Sequence, residues 1–429
     1  MYKYKMSLTP EEVEILEGKQ GEVLGKVMKT IVMYGDTFGA SKLVPVTSNY
    51  GHLVTSFGLS MMKPVYELMD ELIEANVVSK QNFTVDPRPL DFDNVPSNIL
   101  QKTLFKIMYS KQKDYETQLE KMGLLSKDGF TCTCYMDEVG NIPKKGDVLS
   151  WAESSAVVYA NSVLGARSNR NSGIIEMFGS ILGKVPYFGL LTDEGRKADW
   201  IIDIQTDNLP EAQILGSAIG MKVMEDVPYI KNLSRHFDDE LNESAKDYLK
   251  DMGAATASNG AVGLFHVENL TPEAKEFGDR LIGQNPKTYI VDDNELDRIK
   301  ENYPIMWKDK DAKPKVCFIG CPHLSLDQLM RWTKDIEDEL IKQRRKKVTV
   351  PTVLTSSPKV LEEFYKLPES KILNNIGVRT SYICPLMYMN NPLCGKMPVI
   401  TNSNKLRTYT TSRYYTDGEI IEAITKEVF

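Results

Sequence analysis

Long apolar stretches and dense basic runs are both scarce in this 429-residue sequence. No segment reaches about 18 consecutive apolar residues, so the sequence predicts no transmembrane helix. The amino end lacks the apolar core of a signal peptide, which favours the cytoplasm. The net charge is −7, and the densest Lys/Arg run, 342–347, follows an acidic stretch on a predicted helix. Such a run is typical of a solvated face, and we expect neither a nucleic-acid nor a membrane partner.

Motifs that would identify a common enzyme class or metal site are also missing. The sequence contains no Cys-x-x-Cys pair, no Gly-x-Ser-x-Gly elbow and no Walker or Gly-x-Gly-x-x-Gly phosphate loop. Disulfides are not needed in a cytosolic chain of this length. A metal site would therefore require the fold to gather cysteines from three distant groups, which are Cys132 with Cys134, Cys317 with Cys321, and Cys384 with Cys394.

The composition that is present is that of an ordinary globular protein, with 42% apolar and 26% charged residues. Predicted strands at 199–205, 315–320 and 348–354 alternate with predicted helices, which indicates an α/β fold with mostly parallel sheets. Ligands of such folds lie beyond the carboxyl ends of the strands. That rule favours the loops at 48–52, 320–323, 355–357 and 384–385. Cys321 and Cys384 directly follow predicted strands, whereas Cys317 lies inside one.

The helix predicted at 151–165 carries an unusual set of polar residues among small apolar ones. Buried polar groups cost free energy unless they are paired, so they usually belong to a network or a ligand site. The helix leads into Arg167 and Arg170, which flank an amide. Two guanidinium groups in this arrangement match a carboxylate or phosphate, although an ion-paired helix end would explain them as well.

Several segments together resemble the aconitase X family. They are Thr131-Cys-Thr133, Trp151-Ala-Glu-Ser-Ser-Ala156, Ala160-Asn-Ser-Val-Leu-Gly-Ala-Arg167, His266-Val-Glu-Asn-Leu-Thr-Pro-Glu-Ala274, Gly320-Cys-Pro-His323, Thr355-Ser-Ser357, Cys384-Pro385 and Thr401-Asn-Ser-Asn-Lys405. The resemblance covers nearly the whole chain. It implies an aconitase-like α/β fold, with parallel or mixed sheets and helices around a central cluster cleft. Residues 1–429 would form the catalytic region, with two or three subdomains divided near 175 and 305.

The resemblance also implies a reaction, the removal of water from a small hydroxy acid by a dehydratase. An iron–sulfur cluster would act as Lewis acid, held by Cys132, Cys321 and Cys384. The sequence does not distinguish a 4Fe-4S, 3Fe-4S or 2Fe-2S cluster. Cys134 and Asn404 depart from the residues usual in the family, and so does the run 83–88, which makes the substrate less certain than the reaction.

Other site residues follow from the same motifs. The resemblance and the arginine pair predict catalytic roles for His52, Asn161, Ser162, Arg167, Asn169 and Arg170. They predict substrate binding by Ser356, Ser357, Ser403 and Lys405. For His52, a plain core or surface histidine is an equally good interpretation.

Family substrates imply cis-3-hydroxy-L-proline, which we favour slightly, or 5-phosphomevalonate. In the family, a small swivelling domain carries a serine that acts as the base. Residues 406–429 are too few for that domain, so we expect a separate small subunit and no activity without it. Alternatives are a base within this chain, a non-catalytic iron–sulfur protein, and a metal-free hydrolase that binds anions.

Overall fold

The computed structural model describes residues 4–426, which form four separate sheets flanked by helices. This confirms the predicted α/β class with several parallel sheets. No helix within that range is long and apolar enough to cross a membrane. Short 3₁₀ turns connect the elements at Gly189–Leu191, Glu194–Arg196, Ser234–Phe237, Gly278–Leu281 and Cys394–Lys396.

The first part of the chain is mainly helical and contains two small sheets. Strand β1 pairs with β4 in antiparallel orientation, and β2 pairs with β3 in parallel. The first helix begins as its sequence predicts, because Thr9 and Glu12 form a capping box and Pro10 occupies the first helical position. The elements are α1 (Pro10–Leu16), α2 (Glu22–Thr37), β1 (Leu43–Pro45), β2 (Gly51–Leu53), α3 (Lys63–Glu74), β3 (Phe83–Val85), α4 (Ile99–Met108), α5 (Gln112–Met122), α6 (Ser154–Ser162), α7 (Gly173–Leu182) and β4 (Lys184–Pro186).

A four-stranded parallel sheet follows, with the strand order β7-β6-β5-β8. The helix predicted at 151–165 is α6, and it packs against α9 in the core of this region. The elements are β5 (Ala198–Ile204), α8 (Ala212–Val223), β6 (Pro228–Lys231), α9 (Glu243–Asn259), β7 (His266–Val267), α10 (Pro272–Phe277), β8 (Ile282–Val291) and α11 (Asp293–Glu301).

The last sheet has five parallel strands in the order β11-β10-β9-β12-β13. Its elements are β9 (Val316–Leu324), α12 (Leu326–Lys342), β10 (Thr352–Ser356), α13 (Pro358–Phe364), α14 (Pro368–Asn375), β11 (Val378–Ser381), α15 (Pro385–Met389), β12 (Val399–Thr401), α16 (Asn404–Tyr409), β13 (Arg413–Tyr414) and α17 (Asp417–Thr425). The subdomain boundaries near 175 and 305 stay a prediction.

Strand β9 corrects one expectation from the sequence, since it continues past Gly320 to Leu324. Cys321 therefore lies within the strand and not directly after it. Pairing with β10 is nevertheless interrupted, because Ile319 pairs with Leu354 and the next pair is Leu324 with Ser356. Residues 320–323 bulge out of the ladder between these two pairs. The helix expected from Pro322 begins only at Leu326, where Ser325 and Gln328 form a capping box.

Candidate active site

Three cysteines from distant parts of the sequence lie near one another. They are next to the two-stranded parallel sheet β2-β3 and the five-stranded sheet that contains β9. The backbone N–H of Thr131, next to Cys132, donates to Val85 at the end of β3 over 2.7 Å. The N–H of Cys384 donates to the carbonyl of Arg88, three residues further along the same segment, over 2.8 Å. Cys321 is contributed by the bulge in β9. Residues 85–88, at the end of β3 and just after it, thus form backbone hydrogen bonds with both the segment that carries Cys132 and the segment that carries Cys384.

His323 connects all three cysteine segments through its ring and backbone. It lies two residues after Cys321, and its N–H donates to the sulfur of Cys132 over 3.4 Å. Its Nδ1 is 3.0 Å from the hydroxyl of Thr131, and its Nε2 is 3.1 Å from the carbonyl oxygen of Ile383, next to Cys384. Burial lowers the pKa of His323 to about 4, so the ring is neutral and can accept at one nitrogen and donate at the other.

Lys405 and Glu153 form a buried ion pair beside the cysteines. Glu153 caps helix α6, where its carboxylate accepts from the N–H of Ala156 over 2.6 Å. Burial raises the pKa of Glu153, but the charge and hydrogen bond of Lys405 outweigh this effect and bring it to about 2. Burial lowers the pKa of Lys405, and the negative charge of Glu153 raises it to a net value above its usual range. Both groups are therefore charged at neutral pH.

The electrostatic effect of Lys405 reaches all three cysteines. Burial raises the pKa of the thiols of Cys132, Cys321 and Cys384, while the positive charge of Lys405 lowers each of them. Negative charge on Cys321 also raises the pKa of Cys132 and of Cys384, so the thiols are near one another. A shared cation favours the thiolate form, which is the form that binds metal.

The donor set suits an iron–sulfur cluster, since thiolates are its usual protein ligands and three of them converge on one cation. Among residues 4–426, no group of three or more His, Cys, Asp or Glu side chains is arranged to hold a single metal ion. Cys317 lies fully buried inside β9, and Cys394 accepts a hydrogen bond from Gln101 over 3.4 Å. Such surroundings are typical of structural cysteines.

His52 lies in β2, directly beside the cysteine site. Its backbone carbonyl accepts from the N–H of Ala152, the residue before Glu153, over 2.9 Å. The ring is fully buried, stands edge-on to Trp151 with 5.6 Å between ring centroids, and has Nδ1 2.9 Å from the hydroxyl of Thr84. Burial lowers the pKa of His52 to about 4, against the raising effect of Glu153, and the ring is therefore neutral.

Arg170 is the predicted arginine that the structure brings toward this group. Its guanidinium donates to the backbone carbonyls of Ala257, over 3.0 Å, and Val262, over 3.5 Å. It has no carboxylate partner among the described residues. Burial lowers the pKa of Arg170, whereas the negative charge of Glu153 raises it, which shows that the two lie near each other. Arg170 also has a φ of 56°, a backbone conformation that is costly for a side chain of this size.

Arg167 is directed elsewhere. Its guanidinium is 2.6 Å from Asp193 and 3.9 Å from Glu273, and it donates to the carbonyl of Leu191 over 3.0 Å. Arg167, Asp193 and Glu273 line a separate cavity together with Arg196. The structure thus separates the two arginines of the predicted clamp, because the turn at the end of α6 sends their side chains to different surroundings.

The remaining predicted residues have mainly structural contacts. The side chain of Asn161 bonds to Ser168 and to Gly263, and the hydroxyl of Ser162 accepts from Phe265. Asn169 has a buried amide nitrogen without a partner. In the five-stranded sheet and the helices that follow its strands, three serine hydroxyls bond to the backbone. The hydroxyl of Ser356 donates to the carbonyl of Leu324, and the hydroxyl of Ser357 accepts an N–H at the start of α13. The hydroxyl of Ser403 donates to the carbonyl of Cys321 and accepts an N–H at the start of α16.

Three residues of the site were not among the predicted site residues. Glu153 stood out in the sequence as an acid at the start of a helix of small residues, and His323 lies two positions after a predicted ligand. Asp86 belongs to the run 83–88, which departs from the family pattern and follows strand β3. The strand-end rule applied to β3 would have found Asp86, but a three-residue strand is hard to recognise in a sequence.

Two family models match consecutive parts of the chain. Residues 5–194 match the family model "Aconitase X first domain", and residues 198–301 match "Aconitase X second domain". The phosphomevalonate dehydratase large subunit of Thermococcus kodakarensis is 34% identical over 82% of this chain and 81% of its own. The corresponding subunit of Methanocaldococcus jannaschii is 30% identical over 95% and 96%.

Two further matches extend the comparison. The cis-3-hydroxy-L-proline dehydratase of Pseudomonas aeruginosa is 24% identical over 92% of this chain, which spans 65% of that longer protein. The crystal structure of aconitase X from Thermococcus kodakaraensis in its holo-form superposes with a TM-score of 0.79 at 29% identity, covering 98% of this chain and 100% of that one.

Proposed function

Since this chain belongs to the aconitase X family and is a dehydratase, we propose that it is the large subunit of a phosphomevalonate dehydratase. Its substrate would be 5-phosphomevalonate, the alternative in the sequence analysis. Identity to the proteins named phosphomevalonate dehydratase large subunit is higher than identity to the hydroxyproline enzymes. The alignment also spans most of those large subunits, but a smaller share of the hydroxyproline dehydratases. Both points support the phosphorylated substrate over hydroxyproline.

The observation that carries the proposal is the convergence of three cysteine segments on the Glu153–Lys405 ion pair. Cys132, Cys321 and Cys384 would hold an iron–sulfur cluster. When bound, the cluster supplies a Lewis acid for the substrate's hydroxyl group. Lys405 offsets the negative charge of the thiolates, and Glu153 keeps Lys405 in place. The bonds made by His323 fix the spacing of the three segments before any cofactor binds.

Arg170 would bind an anionic group of the substrate, a carboxylate or a phosphate. Its guanidinium is largely buried and donates to backbone carbonyls, and no carboxylate of residues 4–426 forms an ion pair with it, although the charge of Glu153 acts on it from nearby. A charge-assisted contact of this kind contributes about 1.5–3 kcal/mol. Arg167 already pairs with Asp193, and we do not include it in this contact.

The elimination also needs a base for the proton on the carbon next to the carboxylate. We propose that a small subunit supplies this base as a serine and closes the site against water. This assignment rests on the family and on relatives that are named large subunits. His52 is neutral and buried in β2, and its backbone bonds to the residue before Glu153, which supports the proposal that it would orient the substrate.

The test compares this chain alone with this chain plus its small subunit, which is identified from the neighbouring reading frame. Both preparations are reconstituted anaerobically with iron and sulfide and assayed with 5-phosphomevalonate and with cis-3-hydroxy-L-proline. We expect turnover of the phosphorylated substrate only when both subunits are present. Turnover of hydroxyproline alone would contradict the substrate, and full activity of the isolated chain would contradict the partner.

A further inference from the structure

Two buried polar atoms beside the cysteine site have no hydrogen-bond partner among residues 4–426. They are Nε2 of His52 and Oδ1 of Asp86, and they lie 3.9 Å apart. The His52 side chain is completely buried and that of Asp86 is 11% exposed. An unpaired buried polar atom costs on the order of 1–3 kcal/mol. Two such atoms facing each other indicate a position that a ligand fills.

Asp86 lies between two of the cysteine segments. It follows Val85, whose carbonyl accepts from the residue before Cys132, and it precedes Arg88, whose carbonyl accepts from Cys384. The negative charge of Glu153 and the positive charge of Lys405 both act on Asp86. The pair formed by His52 and Asp86 therefore lies near the Glu153–Lys405 ion pair and the cysteine segments.

The hydrogen bonds of Thr84 bear on which His52 nitrogen carries the proton. The Thr84 hydroxyl accepts from the Asn141 amide over 2.9 Å, so it can donate to only one other atom. Nδ1 of His52 is 2.9 Å away, whereas the carbonyl of Gly51 is 3.4 Å away. The proposal below uses the tautomer in which Thr84 donates to Nδ1 and the proton of His52 lies on Nε2. That N–H points toward Asp86 across a gap too long for a direct bond but wide enough for one shared oxygen atom.

Building on the proposed function, we propose that His52 and Asp86 together bind the hydroxyl group that the substrate loses, and that Asp86 donates the proton with which it leaves as water. A proton donor assists this class of reaction, because water is a better leaving group than hydroxide. Burial and the negative charge of Glu153 raise the pKa of Asp86 well above its usual range, against the positive charge of Lys405, and this shift favours the protonated carboxyl that the role needs.

The step balances as an elimination. The base takes the proton from the carbon next to the carboxylate, and the C–H electron pair forms the new C=C bond. The C–O bond breaks, its electron pair stays on oxygen, and that oxygen takes the Asp86 proton to become water. The N–H of His52 donates a hydrogen bond to the same oxygen throughout. Asp86 regains a proton from solvent and the base releases one, so no other reactant is needed.

The primary test is Asp86→Asn, which keeps the shape of the side chain but removes the acidic proton. We expect kcat to fall by about 10²–10⁴-fold, as for loss of a general acid, while KM, iron content and melting temperature stay close to the wild type. Asp36→Asn is the matched control. It is a buried carboxylate in α2 that accepts from the backbone of Lys5 and Met6, away from the cysteines. This control should retain wild-type kcat.

A second test asks whether the two residues act on one oxygen. If they do, Asp86→Asn combined with His52→Gln should lower kcat by much less than the product of the two single effects. Fully multiplicative effects, or an Asp86→Asn enzyme with wild-type kcat, would overturn the proposal. So would variants that change only the melting temperature, as expected if the pair merely holds a buried water. If the wild-type complex is inactive on 5-phosphomevalonate, the proposed function fails instead.

Discussion

The Nε2 atom of His323 lies 3.1 Å from the carbonyl oxygen of Ile383, the residue that precedes Cys384. This bond joins the bulge in β9 to the loop after β11. The opposite ring nitrogen bonds to Thr131, so one neutral imidazole spans the two other cysteine segments. Because a neutral ring has one donor and one acceptor, the bond to Ile383 requires Nε2–H and leaves Nδ1 to accept from the Thr131 hydroxyl.

Replacing His323 by alanine should loosen the cysteine segments without removing a cysteine. Two buried hydrogen bonds are lost, which corresponds to roughly 2–4 kcal/mol. We expect faster loss of iron to a chelator and altered visible absorption, measured on the reconstituted protein. His323→Gln, which can still donate to Ile383, should recover part of the effect. His236→Ala, on a surface 3₁₀ turn, is the control. Equal iron retention in all variants would contradict this positioning role.

The ligand assignment predicts that Cys132→Ser, Cys321→Ser and Cys384→Ser each lose bound iron and activity. Serine has a similar size but does not supply a thiolate, so the fold should remain. Cys317→Ser is a matched control, because Cys317 lies in the same strand as Cys321 and is equally enclosed. Iron analysis and absorption spectra decide the matter. Unchanged iron content in the three ligand variants, or an equal loss in Cys317→Ser, would refute the assignment.

Local signals in the sequence predicted several elements where a single segment determines them. The capping box of Thr9 and Glu12 sets the start of α1, and the strands predicted at 199–205 and 315–320 correspond to β5 and to the first part of β9. The end of β9 was wrong, because the bulge at 320–323 depends on pairing with β10, which is distant in sequence. A run of apolar residues does not indicate where its pairing with a neighbouring strand shifts in register.

The site was only partly predictable for the same reason. The three cysteines were predicted as ligands through the resemblance, since their spacing carries no metal-site pattern. Arg167 and Arg170 look alike in the sequence. Their side chains lie apart because Arg170 has a positive φ and because Arg167 forms an ion pair with Asp193. The role of Asp86 depends on the neighbours that the fold supplies, and no local pattern reveals them.

Arg170→Ala should weaken catalysis by tens to a thousand-fold, because it removes the guanidinium in the cleft that has no carboxylate partner. We expect the free energy of unfolding to change little, since only hydrogen bonds to backbone carbonyls are lost. Arg167→Ala is the matched control, with the same substitution three residues earlier and contacts to Asp193 and Glu273. Steady-state kinetics of the complete enzyme provide the measurement. Wild-type kinetics for Arg170→Ala, or an equal loss in both variants, would exclude Arg170 from substrate binding.

Lys405→Met should destabilise the protein more than the loss of one contact would suggest. It leaves the carboxylate of Glu153 buried without its cation, which typically costs about 3–5 kcal/mol. The double variant Glu153→Gln with Lys405→Met removes both charges and should be considerably more stable than the single one. Urea unfolding of the two proteins measures the difference. Equal stabilities would show that Glu153 carries no charge in the folded protein.

Glu176 in α7 predicts a pH dependence of stability. Burial raises its pKa to about 8, against hydrogen bonds from Ser150 and Asn171, compared with 4.5 in the unfolded chain. The folded state therefore keeps a proton that the unfolded state releases, and stability falls as the pH rises from about 4.5 to 8. One pKa unit corresponds to about 1.4 kcal/mol.

Glu176→Gln cannot ionise, so its melting temperature should exceed that of the wild type at pH 8, and the two should converge near pH 5. Glu225→Gln, at an exposed site, should show no such divergence. Parallel melting curves for Glu176→Gln and the wild type across this range would mean that Glu176 has an ordinary pKa in the folded protein.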